Sequence, residues 1–150
     1  DSSPRGDAPG FVEILDERTV ALPDRPGNNR IDSLRNIVRD PRVSLLFLIP
    51  GKGETLRING QARITTSPDL LERFSVNGKL PRSVLVIDVG TIYFQCQKAL
   101  ARSNLWKPEE WPSVDHLPTA GEMVKAFIGQ DFNATEYDAE YPERMKRTIY

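Results

Sequence analysis

A turn rich in proline and glycine carries the residues best suited to bind an anion. Residues 23–30 read PDRPGNNR and lead into a predicted helix that ends before Pro41. An Asn N-cap, the free N–H groups of the helix start and the Arg30 guanidinium would converge on one point, which suits a phosphate. The same residues are typical of an ordinary capped helix after a tight turn. The turn alone leaves both interpretations open.

Two more clusters of basic side chains lie far from this turn in the sequence. Arg57 lies on the polar face of a predicted strand, and Lys98 and Arg102 are four residues apart, hence on one face if helical. Trp106 follows them and could either stack on an aromatic ring or anchor the core. Each cluster alone is typical of a protein surface. Together, on a small β-barrel, they could surround one phosphate-bearing ligand.

Residues for covalent or metal catalysis are scarce. The chain has one cysteine, Cys96, and one histidine, His116, which argues against a zinc site built from Cys and His within one chain. It has no Gly-x-Ser-x-Gly nucleophile elbow and no phosphate-loop or dinucleotide fingerprint. The sequence therefore predicts no catalytic residue and no metal ligand, and it leaves anion binding as the main chemistry.

The composition is that of an ordinary globular domain, and we expect a single domain over residues 1–150. Hydrophobic residues make up 39% and charged residues 27%, with a formal net charge of −1. This small charge predicts no general attraction to nucleic acid or to a membrane. No apolar run approaches membrane-spanning length. The lone Cys96 rules out an internal disulfide framework and favours a cytoplasmic location.

Strands outnumber helices in the predicted order of elements, and they come in pairs. Six strands are predicted, at residues 11–15, 19–22, 42–49, 55–64, 83–89 and 91–96. Closely spaced strands with few helices between them favour a mainly β fold, an antiparallel barrel with peripheral helices.

Individual strands carry further predictions. The nearly continuous apolar run 42–49 predicts a strand buried on both faces. Gly60, inside an alternating strand, predicts a bulge or a close backbone approach. Gly90 separates the last two predicted strands, and a second helix is expected from Ser67 to about Gly78.

Residues 107–150 read as a peripheral helical tail. Thr119 and Glu122 have the spacing of a capping box before an apolar helix. The segment from Asn133 is charged and aromatic and predicts one more helix.

Several ordered motifs resemble one known family, the FMN-binding split barrel of the pyridoxamine-phosphate-oxidase-like type. They are PRVSLLF at 41–47, the preceding turn at 27–30 and the strand end NGQA at 59–62. More narrowly, the chain is similar to a bacterial subgroup of uncharacterised substrate in four motifs, at residues 3–7, 24–28, 53–57 and 102–106. The resemblance implies a six-stranded antiparallel split barrel. It also implies a homodimer with two FMN molecules in grooves between the subunits.

The resemblance also implies which residues contact FMN. It implies that Asn29 and Arg30 contact the FMN phosphate, with Asn28 beside them, and that Pro23 and Asp24 contact the flavin ring. Further contacts fall on two strand segments and on a late basic segment often supplied by the other subunit: Arg5, Gly6, Asp7, Thr55, Arg57, Lys98, Arg102, Ser103 and Trp106.

The chain departs from the vitamin B6 oxidases of this family. Those enzymes carry a paired Arg-Lys at the phosphate turn, where this chain has Asn29-Arg30, and their Arg-x-His signature is absent here. The family's first helix and first barrel strand would precede Ser3, so a longer native chain is expected.

The expected function is an FMN-dependent oxidoreductase with a small-molecule substrate or a nicotinamide cofactor, and oxidation of pyridoxamine phosphate itself is not expected. A flavin-storage module remains an alternative. The same barrel could also hold a deazaflavin or haem.

Overall fold

Five antiparallel strands form one sheet in the computed structural model, which describes residues 1–149. The strands are β1 Glu13–Asp16, β2 Thr19–Asp24, β3 Arg42–Phe47, β4 Thr55–Thr65 and β5 Ser83–Gln95. Their order is β1-β2-β5-β4-β3, so β1 and β3 are both edges and the sheet does not close within residues 1–149. The mainly β, antiparallel prediction is confirmed, and the count of six strands is wrong for this part of the chain.

The predicted break at Gly90 accounts for the difference in strand count. Gly90 lies inside β5, a continuous strand of 13 residues. β5 pairs with β4 on both sides of this glycine, from Thr55 opposite Gln95 to Thr65 opposite Val84. Tertiary pairing therefore keeps extended a segment that its glycine alone would allow to turn.

Gly60 confirms the prediction of a bulge with a close backbone approach. The register of β4 against β5 shifts between Asn59 and Gly60. A Cβ atom at Gly60 would lie 2.2 Å from the backbone oxygen of Asp88 and 3.0 Å from Cγ2 of Ile87. Only a residue without a side chain fits this approach.

The apolar strand β3 is not buried on both faces, contrary to the sequence prediction. It lies at a sheet edge, and its residues alternate between half-buried and exposed. Leu46 is 50% exposed, whereas Leu45 packs against the core. An apolar run shows that the residues are hydrophobic, but the burial of a strand depends on its position in the sheet.

The core lies on both faces of β2 and β5, and alternate residues of these strands point to opposite sides. One cluster includes Val20, Leu22, Ile58, Ala62, Leu85 and Ile87. The other includes Ala21, Phe74, Val84 and Val86. Helix α1, Asp32–Arg39, packs on the first cluster through Leu34 and Ile37.

Sequence signals mark the end of helix α1 and the start of helix α2 correctly. Helix α1 ends before Pro41, as predicted. Helix α2, Pro68–Arg73, begins after Ser67 with its proline in the first turn, but it ends before the predicted Asn77-Gly78 stop. A short helix α3, Lys98–Arg102, follows β5 and places the predicted basic pair on one helix.

The chain divides into two compact units, residues 1–108 and the segment that begins at Glu109. The second unit contains helices α4, Ala120–Ile128, and α5, Ala134–Thr148. Thr119 and Glu122 form the predicted capping box, and the Gly121 N–H donates to Asp138 Oδ1 at 2.7 Å. None of the helices within residues 1–149 has the length and apolar character to span a bilayer. A single domain with a peripheral tail stays a prediction.

Candidate functional site

The turn between β2 and α1 is built by local hydrogen bonds of its asparagines. Asn28 Oδ1 accepts from the Arg30 N–H at 2.9 Å, and Asn29 has a left-handed backbone with φ of 59°. The N-cap is Ile31, which has no side-chain cap bond, so the predicted Asn N-cap is wrong. The Asn28 side chain instead bonds to the backbone within the turn and does not cap the helix.

Beside this turn lies a cavity of about 330 Å³, the turn cavity. It is lined by Asp1, Ser2, Ser3, Pro4, Asn28, Arg30, Asp32 and Ser33. Arg30 Nε donates to Asp32 Oδ2 at 2.7 Å, and the Arg30 side chain is 72% exposed. An exposed ion pair contributes little stability, so Arg30 can leave Asp32 for another anion.

Three predicted contact residues, Arg5, Asp7 and Asp24, take part in two ion pairs near the turn. Arg5 Nη1 donates to Asp24 Oδ1 at 2.5 Å, with both side chains partly buried. The Asp7 carboxylate accepts from Arg25, whose Nη1 also donates to the Phe74 backbone oxygen at 2.8 Å. These pairs hold the first ten residues against the end of β2, which is a structural role beside any contact with a ligand.

Two further predicted contacts of this group differ in accessibility. Gly6 is exposed, between the two ion-paired residues. Pro23 is buried within β2, opposite Val84 of β5.

One contact of the turn has no signal in the sequence. Arg82 Nη1 donates to Asn29 Oδ1 at 2.8 Å, and the Arg82 backbone N–H donates to the Asp24 oxygen at 2.9 Å. Arg82 precedes β5 and lies 53 residues from Asn29 in sequence. Pairing of β5 with β2 brings the two together, so only the tertiary structure reveals this contact.

A groove of about 360 Å³, the basic groove, lies at the other end of the sheet. Its lining includes four predicted contact residues, Thr55, Arg57, Lys98 and Arg102, with Leu46, Leu48, Gln95, Cys96, Ala99 and Leu100. The lining contains three cations and no carboxylate. Arg57 Nε donates to the neutral Gln95 Oε1 at 2.6 Å, which leaves the positive charge of Arg57 uncompensated.

The last two predicted contacts lie outside the lining of this groove. Ser103 Oγ donates to the Leu100 oxygen at 3.1 Å, a bond within one helical turn. The Trp106 indole N–H donates to the Lys52 oxygen at 2.6 Å and ties the segment after α3 to the β3–β4 loop. Of the two roles that the sequence left open for Trp106, this contact favours an anchor.

The arrangement can bind anions through Arg30 at the turn and through Arg57, Lys98 and Arg102 in the basic groove. Residues 1–149 contain no cluster of three or more potential metal ligands. Two carboxyl groups with a lowered pKa, those of Asp40 and Asp16, lie outside both cavities. Arg42 holds the pKa of Asp40 at about 2 through a side-chain hydrogen bond, and a backbone N–H of Arg18 lowers the pKa of Asp16.

The family model for pyridoxamine 5'-phosphate oxidase matches residues 1–96, which is more than half of the chain. The chain belongs to the pyridoxamine 5'-phosphate oxidase family. The resemblance read from the sequence motifs is thereby confirmed. The matched residues include the turn, strands β1 to β5 and six lining residues of the basic groove, among them Thr55 and Arg57.

Two solved structures are similar to part of this family member. HupZ of Group A Streptococcus is 21% identical, with a TM-score of 0.46 over 57% of this chain and 70% of its own. A candidate pyridoxamine 5'-phosphate oxidase of Lactobacillus delbrueckii is 15% identical, with a TM-score of 0.44 over 56% of this chain and 68% of its own. No curated protein gives a significant match to the chain.

Within one chain of this family member, the two groups of predicted contacts lie far apart. Asp24, beside the turn, pairs with Ser83, and Thr55, in the basic groove, pairs with Gln95. Ser83 and Gln95 are the two ends of the 13-residue strand β5, which corresponds to about 40 Å of extended chain. The structure therefore brings the predicted residues together as two separate groups rather than one.

Proposed function

We propose that this protein is a homodimeric, FMN-dependent oxidoreductase of the split-barrel type with a substrate other than a vitamin B6 compound. The proposal rests on family membership and on one observation, the groove lined by Arg57, Lys98 and Arg102 with no carboxylate. A cytoplasmic location is part of the proposal, since the lone Cys96 forms no internal disulfide.

The residues of the basic groove fit FMN in charge and in size. The phosphate of FMN is a dianion near neutral pH, and guanidinium and ammonium groups are its best partners. The groove also has an apolar side, formed by Leu46 and Leu48, against which an aromatic ring can pack. Its volume of about 360 Å³ lies within the usual range of ligand pockets.

A second subunit can bring a turn and a basic groove together in one site. A two-fold dimer can place the turn of one chain against the basic groove of the other and so form two identical sites. Exposed apolar residues near the groove end of the sheet support this arrangement. Phe94 is 74% exposed and Ile92 is 59% exposed, which is the kind of surface that a dimer buries.

The chain would bind and orient the cofactor while the cofactor carries out the chemistry. FMN supplies hydride or single-electron transfer when it is bound. Arg30 and the groove cations would hold the phosphate, and this anchoring orients the remainder of the ligand. The basic groove is lined by cations and apolar side chains and has no carboxylate that could act as a base, which agrees with this division of roles.

Flavin binding by the Arg30→Ala variant provides the first test. We expect the variant to bind FMN roughly 10-fold more weakly, because Arg30 makes a charge-assisted hydrogen bond to the phosphate. Riboflavin, which lacks the phosphate, should bind both proteins equally. Titrations followed by flavin absorbance and fluorescence measure both affinities. An equal loss for the two flavins would show that Arg30 does not contact the phosphate.

The visible spectrum and turnover of the wild-type protein test the activity itself. Reduction of bound FMN by a nicotinamide cofactor, with reoxidation by an acceptor, is the expected result. Bound FMN without turnover would indicate a flavin-storage protein. Protein that stays colourless after FMN is added contradicts the proposal, and a Soret band would identify haem instead.

A further inference from the structure

We infer that Arg82 is the second cation of the phosphate-binding turn and acts on the ligand beside Asn29 and Arg30. This inference rests on the proposed FMN function, because it assigns one more residue to the same site. Three features of the turn lead to it: the position of Arg82, the charges around it and the orientation of the Asn29 amide.

The position of Arg82 is set by two contacts with the turn region. Its backbone N–H donates to the Asp24 oxygen at 2.9 Å, beside the residue predicted to lie against the flavin ring. Its Nη1 donates to Asn29 Oδ1 at 2.8 Å, on the residue predicted to contact the phosphate. The Arg82 backbone therefore lies beside Asp24 and its guanidinium beside Asn29, and the residue is exposed.

The charges around the turn make Arg82 the most available cation there. Asp24 pairs with Arg5 and Asp32 pairs with Arg30. The Asp1 carboxylate, which also lines the turn cavity, accepts from the Ser33 hydroxyl at 2.5 Å. Arg82 instead bonds to a neutral amide, and within residues 1–149 it makes no ion pair with a carboxylate. A dianion near the turn would gain more from Arg82 than from Arg30, which must first leave Asp32.

The contact also orients the amide of Asn29. An arginine side chain can only donate hydrogen bonds, so the oxygen of Asn29 faces Arg82. The two Nδ2 hydrogens of Asn29 then remain for another acceptor. The left-handed backbone of Asn29, with φ of 59°, holds this amide in place. Arg82 and Asn29 together form a set of donors of the kind that binds a phosphate.

The test compares Arg82→Ala with Arg82→Lys and with the control Lys79→Ala, each measured with FMN and with riboflavin. Lys79 is an exposed cation three residues away, so its loss changes the net charge equally. We expect Arg82→Ala to weaken FMN binding roughly 10- to 100-fold, as for loss of a hydrogen bond to a charged group. Arg82→Lys should retain most of the affinity. Lys79→Ala should bind FMN like the wild type, and all three variants should bind riboflavin like the wild type.

Each alternative outcome identifies which statement fails. Unchanged FMN affinity in Arg82→Ala, or an equal loss for FMN and riboflavin, overturns the role of Arg82 and leaves the proposed function standing. A wild-type protein that binds neither flavin overturns the proposed function and this inference with it. Competition by inorganic phosphate gives an independent readout. Phosphate should displace FMN from the wild type and should have little effect on bound riboflavin.

Discussion

A mixed dimer of Arg30→Ala and Arg102→Ala chains is expected to bind one FMN with wild-type affinity, although neither variant alone does so. Each proposed site combines the turn of one chain with the basic groove of its partner. A mixed dimer therefore contains one intact site and one site with both arginines missing. Each homodimer has two damaged sites, with FMN affinity lowered roughly 10-fold or more. Differently tagged chains allow the mixed dimer to be purified, and FMN titration then measures the number of sites.

A reciprocal dimer provides the control. The double variant Arg30→Ala/Arg102→Ala, paired with a wild-type chain, should have no intact site, because each site then lacks one arginine. If each site instead lay within one chain, the wild-type chain of this reciprocal dimer would bind one FMN with full affinity. The first mixed dimer would then bind no FMN with full affinity. The two dimers thus give opposite results under the two arrangements.

Replacement of Gly60 by alanine should destabilise the sheet by about 2–4 kcal/mol, the range of severe core and backbone substitutions. The added Cβ would lie 2.2 Å from the backbone oxygen of Asp88, which cannot move without breaking the pairing of β4 with β5. The free energy of unfolding from urea denaturation measures this effect.

Gly90→Ala is the matched control, since Gly90 is the β5 residue left unpaired at the same bulge. The nearest atom to a Cβ at Gly90 is the Asn59 oxygen at 3.5 Å, an ordinary van der Waals distance. We expect this variant to change stability by less than about 1 kcal/mol. Equal unfolding midpoints for the two variants would contradict the close approach at Gly60.

Local sequence signals correctly predicted those helix ends that depend only on neighbouring residues. Pro41 ends helix α1, and Thr119 with Glu122 caps α4, because these effects act within one helical turn. Gly60 was also informative, since a glycine in an alternating strand usually marks a bulge or a close approach.

The same local rules failed where pairing between strands distant in sequence determines the structure. The sequence predicts two strands separated by Gly90, but pairing with β4 keeps β5 continuous. The apolar run that includes Leu46 was expected to be buried, but β3 lies at an edge of the sheet. An asparagine of the turn is predicted to cap helix α1, but the N-cap is Ile31, and the Asn28 side chain bonds to the backbone inside the turn.

The sequence by itself determined the family and the residue types available at the candidate site, because these depend on residue types and motif order. Only the tertiary structure decided where those side chains lie. The strand β5 places the turn and the basic groove at its opposite ends, and it brings Arg82 to Asn29. Strand pairing joins residues that are remote in sequence, so spacing along the chain carries no record of these contacts.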